Sequence, residues 1–488
     1  MNQIFKRILK PVFCSVLLCL AALSGCSRNA EMTQAARETA QPESTIVTVQ
    51  VAQTPQPSAI PQNTLKYVFL FIGDGMGPNQ VRATNEALEK AGLEPLCFTS
   101  FPVSGAAITN NVDGKTTDSA AAATALACGQ KTINGALGQT QEGNRLAPLP
   151  QTLRERGWKA GILTTVSMDN ATPAGFYAHT DSRKNYSDIL KDLLASGYEY
   201  FAGGGFHSDC DPETALQAGY QIAVGETAAD KIADSEKLIL IGDTLTEDKG
   251  LPLALDDGNN REGQLARNVA RGIRRLCKDN PVFFMVEGGR IDLAGHYHDA
   301  GDLLAEMRDF DDAIQEALDF YQQHPYETLI LVTADHETGG LTLSKGDRTR
   351  LMQQEHSCDR FDEIHVSLYR ELGTSFEDAL QEIETAFGLN DLTPEEAETL
   401  RVAYNHTISD DLSAAKAKEQ YGVYTPVTSV AEQLLAKRAG LSYTTTGHTS
   451  ENVPVYALGV GQELFAGTYE NTQIPEKLLS IIKTSGAE

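Results

Sequence analysis

The chain has 488 residues, 41% hydrophobic and 22% charged. That is the composition of a soluble globular protein with two or three average domains, or one large α/β domain with insertions. The formal net charge of −26 excludes a nucleic-acid-binding surface, although a local cation can still reverse the field where an anionic substrate binds.

The N-terminal MNQIFKRILK supplies Lys6, Arg7 and Lys10 and leads into the apolar stretch PVFCSVLLCLAALSG. That stretch is too short to span a bilayer comfortably as a mature helix, so it reads as an export signal. Its end, LSGC, is similar to a bacterial lipoprotein signal. Residues 1–25 are then the signal peptide and Cys26 the lipidated first residue; an uncleaved or simply secreted signal is the alternative. The expectation is an exported protein, lipid-anchored to the cell membrane and facing outside the cytoplasm, at a cell surface or in a periplasm. Removing residues 1–25, which carry those three basic side chains and no acidic one, takes the formal charge from −26 to −29. Residues 26–64 are rich in Thr, Gln, Pro, Ser and Ala without periodicity, as expected of a flexible tether. The cysteines beyond it, Cys97, Cys128, Cys210, Cys277 and Cys358, are scattered and contain no Cys-x-x-Cys pair. They do not form a disulfide framework or a cysteine zinc site, and one or two bridges stay open.

From Lys66 onward apolar strands alternate with helices. KYVFLFIG predicts a strand buried on both faces, and PNQVRATNEALEKAG a helix ending in Gly. Next comes TTDSAAAATALACGQ, starting at Thr116, which reads in two ways. Asp118 or Ser119 caps a helix that alanine propagates, or Ser119 sits at the helix N-terminus so that its oxygen can attack an anionic group held there. LPQTLRERG then reads as helix, WKAGILTT as strand, SDILKDLLASG as helix and KLILIG as strand. GQLARNVARGIRRLCKD (helix), PVFFMVEGG (strand), DLLAEMRDFDDAIQEALDFYQQH (helix) and TLILVTA (strand) continue the pattern. VPVYALGVG (strand) and PEKLLSIIKT (helix) close it. Such alternation implies an α/β fold, a mostly parallel central sheet with helices on both faces. Between about Lys345 and Ala439 the alternation lapses into amphipathic helices with acidic outer faces, FDEIHVSLYRELG, SFEDALQEIETAFG and TPEEAETLRVAYNH. This is a helical insertion, readable as a lid, an oligomer contact or a solvated decoration.

Acidic and His residues follow the strands. Asp74 ends the first, Glu287 another with Asp292 and His296 just beyond, Asp335 and His336 end a third, and His448 precedes the last. Singly, each has an ordinary reading as turn residue, surface pair or loop cap. Together they meet at the carboxyl ends of an open α/β sheet, where ligands bind. Carboxylates massed there repel one another unless cations hold them. Three carboxylates and three imidazoles suit two zinc ions. A serine beside two metals suits in-line phosphoryl displacement, and the loop with Thr172 and Arg183 offers a guanidinium to clamp the phosphate.

In order along the chain, GDGMG, TDSAAAATA, ATPAGFYAHTDSRKNY, VEGGRIDLAGH, TADHETGG and TGHTSENVPVYALG resemble the motifs of the alkaline phosphatases, over about Lys66 to Lys483. The resemblance implies a catalytic domain over 65–488, with the insertion at about 345–439 its least matched part. It implies hydrolysis of a broad range of phosphate monoesters through a phosphoserine at Ser119, with Arg183 on the phosphate oxygens. It also implies two Zn2+, one held by Asp292, His296 and His448 and the other by Asp74, Asp335 and His336. One Mg2+ would be held by Asp74, Thr172 and Glu287. His298 competes with His296, and the family's Asp-x-x-x-His spacing favours His296. Family members are commonly homodimers. Asn170, Thr116 and Leu293 depart from residues common at these positions in relatives. Two rival classes remain at this stage. One is a sulfatase or phosphodiesterase of the same metal-dependent architecture; the other is a lipoprotein that captures phosphate or zinc without turnover.

Overall fold

The computed structural model describes residues 64–256, 263–278 and 280–484. The expected signal peptide, Cys26 and the tether up to residue 63 lie outside them. The strands are β1 (Tyr67–Gly73), β2 (Val103–Ile108), β3 (Lys159–Thr164), β4 (Tyr200–Gly203), β5 (Tyr220–Val224), β6 (Lys237–Ile241) and β7 (Val282–Gly288). They continue with β8 (Thr328–Thr333), β9 (Glu337–Thr338), β10 (Leu341–Leu343), β11 (Leu441–Tyr443), β12 (His448–Thr449), β13 (Val453–Gly459) and β14 (Gly467–Glu470). Ten of these form one sheet in the order β14-β2-β13-β8-β1-β7-β3-β4-β6-β5, with helices around it. Every neighbouring pair is parallel except the two that β13 makes, with β8 and with β2.

The centre of the sheet is dry because its strands are predominantly apolar, with Glu287, Thr328 and Thr333 near their ends. Every residue of β1, β7 and β8 is buried, the pattern of parallel strands covered on both faces. Aromatic side chains weld the sheet to the long Ala300–Gln323 helix. Phe69 of β1 stacks on Phe284 of β7 at 5.2 Å and meets Phe320 edge-on at 5.9 Å, while Phe71 meets Phe310 edge-on at 5.9 Å.

Strand β13 runs against its neighbours. Its amino end therefore lies at the same rim as the carboxyl ends of β1, β7 and β8. This is why His448 stands before its strand while Asp74 and Asp335 stand after theirs. The two-residue ribbon β9–β12 then pairs His448 with Thr338 and Thr449 with Glu337.

Residues 344–440 leave and re-enter through the antiparallel ribbon β10–β11, in which Leu343 pairs with Leu441. They carry helices Cys358–Phe361, Ser367–Leu372, Phe376–Ala386, Pro394–Ser409, Ala414–Tyr421 and Pro426–Ala439, with a wider π-turn at Asp362–Val366. Pro394–Ser409 starts with a capping box between Thr393 and Glu396, as the TPEE sequence favours. Among the described residues, no helix is long and apolar enough to cross a membrane.

Truncating the central aromatic contact tests this account of the core. Phe69→Ala is expected to cost about 3–5 kcal/mol, read as a lower denaturant midpoint in far-ultraviolet circular dichroism; a loss below 1 kcal/mol would contradict it.

Candidate active site and metal centre

Asp118 is the N-cap of the Ser119–Cys128 helix, its carboxylate accepting from Ala121 N at 3.0 Å. Ser119 is the first helical residue, so capping falls to its neighbour and its own hydroxyl is free for other work. Ser119 Oγ lies 3.2 Å from His336 Nε2 and is buried. The alanines after it let the next segment approach: a Cβ at Gly175 would come within 2.6 Å of Ala123 Cβ. Asp118 also accepts from Gly135 N at 3.0 Å and from Arg183 Nη1 at 3.4 Å. Arg183 Nη2 donates to Asn170 Oδ1 at 3.2 Å, so the guanidinium is held beside the serine helix from two sides.

The other expected residues gather at the same rim in two groups. Donor atoms of Asp292, His296 and His448 lie within 4.8 Å of one another, as do those of Asp74, Asp335 and His336. The groups touch, for the His336 and His448 rings stack with centroids 3.5 Å apart. Thr172 donates to Asp74 at 3.2 Å, and Thr164 donates to Glu287, so Thr172 and Glu287 border the second group. Gly75 is required here. Its φ is +76°, and a Cβ would come within 2.9 Å of Asp292 Cα. Its N–H donates to Asp335 at 3.2 Å.

The three imidazoles share one arrangement. Nδ1 of His296 faces the Thr446 carbonyl at 2.6 Å, Nδ1 of His448 faces the Thr117 carbonyl at 3.0 Å, and Nδ1 of His336 faces the Thr338 hydroxyl at 3.2 Å. Each Nδ1–H therefore has an oxygen acceptor, and each Nε2 points inward. Nε2 of His296 and of His448 are 3.1 Å apart. With Asp292 3.2 Å from one and 3.7 Å from the other, the two nitrogens and the carboxylate form a donor set that suits a cation. His298 does not join. It terminates its helix with φ +61°, hydrogen-bonds the Thr445 carbonyl at 2.8 Å and stacks on Tyr443.

The electrostatics agree. Burial pushes the Asp74 carboxyl well above its usual range, and Asp335, Asp292 and Glu287 push it further. Burial raises Glu287 to about 8 and Asp335 to about 7, with Asp335 and Asp292 respectively the main repelling neighbours. For Asp292 burial acts upward too, but the His296 contact and the nearby His336 ring hold it below the carboxylate range. Burial would lower His296, yet Asp292 carries it up to about 9. Burial lowers His336. Asp74 Oδ1, Glu287 Oε1 and Asp335 Oδ2 are buried without hydrogen-bond partners. Oxygen and nitrogen donors in this state fit divalent cations.

The sequence profile described as "Alkaline phosphatase" matches residues 65–200 and 212–484. The chain belongs to the alkaline phosphatase family. Alkaline phosphatase 3 of Bacillus subtilis is 31% identical over 440 residues, 86% of this chain and 90% of the relative. The repressible alkaline phosphatase of Saccharomyces cerevisiae is 26% identical over 482 residues, 86% of this chain and 81% of that one. The crystal structure of a cold-active alkaline phosphatase from a Shewanella species superposes with a TM-score of 0.73 at 29% identity, covering 85% of this chain and 99% of its own. This phosphatase is a phosphoric monoester hydrolase with two clusters of side chains that could hold a metal ion.

Two further residues complete the site and escaped the sequence reading. Thr338 donates to Asp292 Oδ1 and accepts from His336 Nδ1, bridging the two clusters. Thr164 donates to Glu287 from the carboxyl end of β3. Their only signal was a polar residue at the end of a buried apolar strand or inside TADHETGG. In this phosphatase Thr338→Val, which keeps the shape and removes the hydroxyl, should weaken metal retention about 10–100-fold in a chelator titration; unchanged retention would remove the bridging role.

Proposed function

We propose that this phosphatase hydrolyses a broad range of phosphate monoesters through a phosphoserine at Ser119. The observation that carries the reading is the convergence of three inward-facing Nε2 atoms, with Ser119 Oγ 3.2 Å from one of them. Asp292, His296 and His448 would hold one Zn2+, Asp74, Asp335 and His336 a second, and Asp74, Thr172 and Glu287 an Mg2+. A mutant of the alkaline phosphatase from the Antarctic bacterium TAB5 is described with magnesium in its M3 site, which supports magnesium here. When bound, the cations supply Lewis acidity to the serine and ester oxygens.

The chain's own groups do the remaining work. Arg183, steadied by Asp118 and Asn170, turns its fork toward the phosphate oxygens and orients the phosphorus for in-line attack. The N-terminus of the Ser119–Cys128 helix adds a positive dipole end beside the dianion. Ser119 gives up its hydroxyl proton to water and its Oγ forms the new P–O bond as the bond to the leaving oxygen breaks; the alkoxide leaves with that electron pair and takes a proton from water to become the alcohol. Water then attacks the same phosphorus from the vacated side, freeing phosphate and restoring the hydroxyl. These contacts grip the phosphoryl group, so selectivity for the alcohol is low.

The same reading makes Cys26 a lipid anchor that holds the enzyme on the outer side of the cell membrane, supported by the LSGC sequence, and pairs two chains as a homodimer, supported by the family resemblance.

Hydrolysis of p-nitrophenyl phosphate should vanish on chelation and return with zinc, and further with magnesium; rates on an aryl diester and an aryl sulfate should be far lower. Ser119→Ala should lower kcat by at least about a thousandfold while zinc and phosphate still bind. Wild-type enzyme given labelled phosphate at acidic pH should retain label on Ser119. Turnover unaffected by the substitution, or no covalent label, would overturn the mechanism.

A further inference from the structure

A third group of potential ligands lies outside the site. Asp299, Cys358 and Glu432 are 1%, 0% and 3% exposed, and one donor atom from each lies within 4.8 Å of the others. They come from three distant elements. Asp299 is the N-cap of Ala300–Gln323, three residues beyond His296; Cys358 opens the first helix of the inserted segment; Glu432 lies within Pro426–Ala439.

The hydrogen bonds around this group leave part of it unsatisfied. Asp299 accepts from Asp302 N at 3.1 Å, Gln354 Nε2 at 2.8 Å and Cys358 N at 2.7 Å. Glu432 accepts from Ala300 N at 2.9 Å through Oε1, but its Oε2 is buried without any partner. Asp302 Oδ2, next to Asp299 on the same helix, is also without one. Neither Asp299, Asp302 nor Glu432 forms an ion pair with a described Lys, Arg or His. The Cys358 thiol is also hydrogen-bonded to Asp299, whereas Glu432 Oε2 has neither a donor for its ionised form nor an acceptor for its protonated form at hydrogen-bond distance. A cation held by Asp299, Cys358 and Glu432 would give Glu432 Oε2 the partner it lacks.

We propose that Asp299, Cys358 and Glu432 bind a divalent cation of the zinc class, separate from the metals of the active site. The thiolate selects the ion, because sulfur favours zinc-like metals while magnesium and calcium take oxygen alone. Tetrahedral zinc with these donors sets them about 3.6 Å apart, so side-chain adjustments of about 1 Å close the site. Binding forms one metal–sulfur and two metal–oxygen bonds and releases the Cys358 thiol proton to water. A remaining position falls to water or to the Tyr443 hydroxyl, which is buried, has no hydrogen-bond partner and lies in the field of Glu432, Asp299 and Cys358. Glu432 and Tyr443 also line a cleft of about 640 Å3, a route for the ion. The bound ion fastens two parts of the inserted segment to the core helix that starts just after His296.

The test uses full-length enzyme stripped by chelation and reloaded with Co2+. The active-site clusters contain no sulfur, so a thiolate-to-cobalt charge-transfer band reports this site alone and is indifferent to the proposed phosphoserine chemistry. The band is expected in wild type and absent in Cys358→Ser. Glu432→Gln, close to isosteric and a safeguard should the serine variant fail to fold, is expected to lower the tightly held zinc by one ion per chain in elemental analysis. A wild type without the band, a band that persists in Cys358→Ser, or a Glu432→Gln enzyme with an unchanged zinc count would each overturn the proposal.

Discussion

Mutual repulsion among buried carboxylates is the constraint on which this molecule turns. Asp74, Glu287 and Asp335 are buried, and Asp292 is partly buried, at one rim of a sheet whose central strands β1, β7 and β8 are covered on both faces, so water screens them little. Fixed positive character is brought to the same place from several elements. Backbone N–H groups of Gly75 and His336 bind Asp335, the Thr172 and Thr338 hydroxyls bind Asp74 and Asp292, and a helix N-terminus and a guanidinium face the centre. Asp74 Oδ1, Glu287 Oε1 and Asp335 Oδ2 stay without a hydrogen-bond partner after these contacts. The apolar sheet therefore supplies both a rigid platform and the low dielectric in which charge complementarity counts for most.

The aromatic packing under the rim serves that purpose. Phe69 and Phe71 link β1 to β7 and to the helix beginning at Ala300, so the strand just before Asp74, the strand that carries Glu287 and the helix just beyond His296 are packed together. A frame packed in this way restricts the spacing of the side chains it carries, which is what preorganisation requires.

Much of this was legible in the sequence because the ligands stand beside apolar runs that announce buried strands. GDGMG, VEGGRIDLAGH and TADHETGG each join a strand end to its acidic or imidazole residue, and the TDSAAAATA stretch marks a helix start. What stayed hidden had no periodic signal. β2, with the sequence VSGAAI, is made mostly of small side chains, β4 is four residues long, and β5 and β14 lie toward the sheet edges. The reversal of β13 depends on connectivity in space, and so does the ribbon that sets His448 beside Thr338. Division of labour between Asp118 and Ser119 could not be read either, since both residue types cap helices well. Cys358 looked inert for a similar reason: its acidic neighbours are 59 and 74 positions away in the chain.

The ribbon β10–β11 has an evolutionary corollary. It pins both ends of the inserted segment side by side, so the chain between them can grow or shrink at an entropic cost that rises only with the logarithm of its length. Outside the ribbon, β9–β12 pairs His448 with Thr338, two residues after His336. Changes in the length of this segment are therefore expected to fall outside the sheet that carries the candidate site.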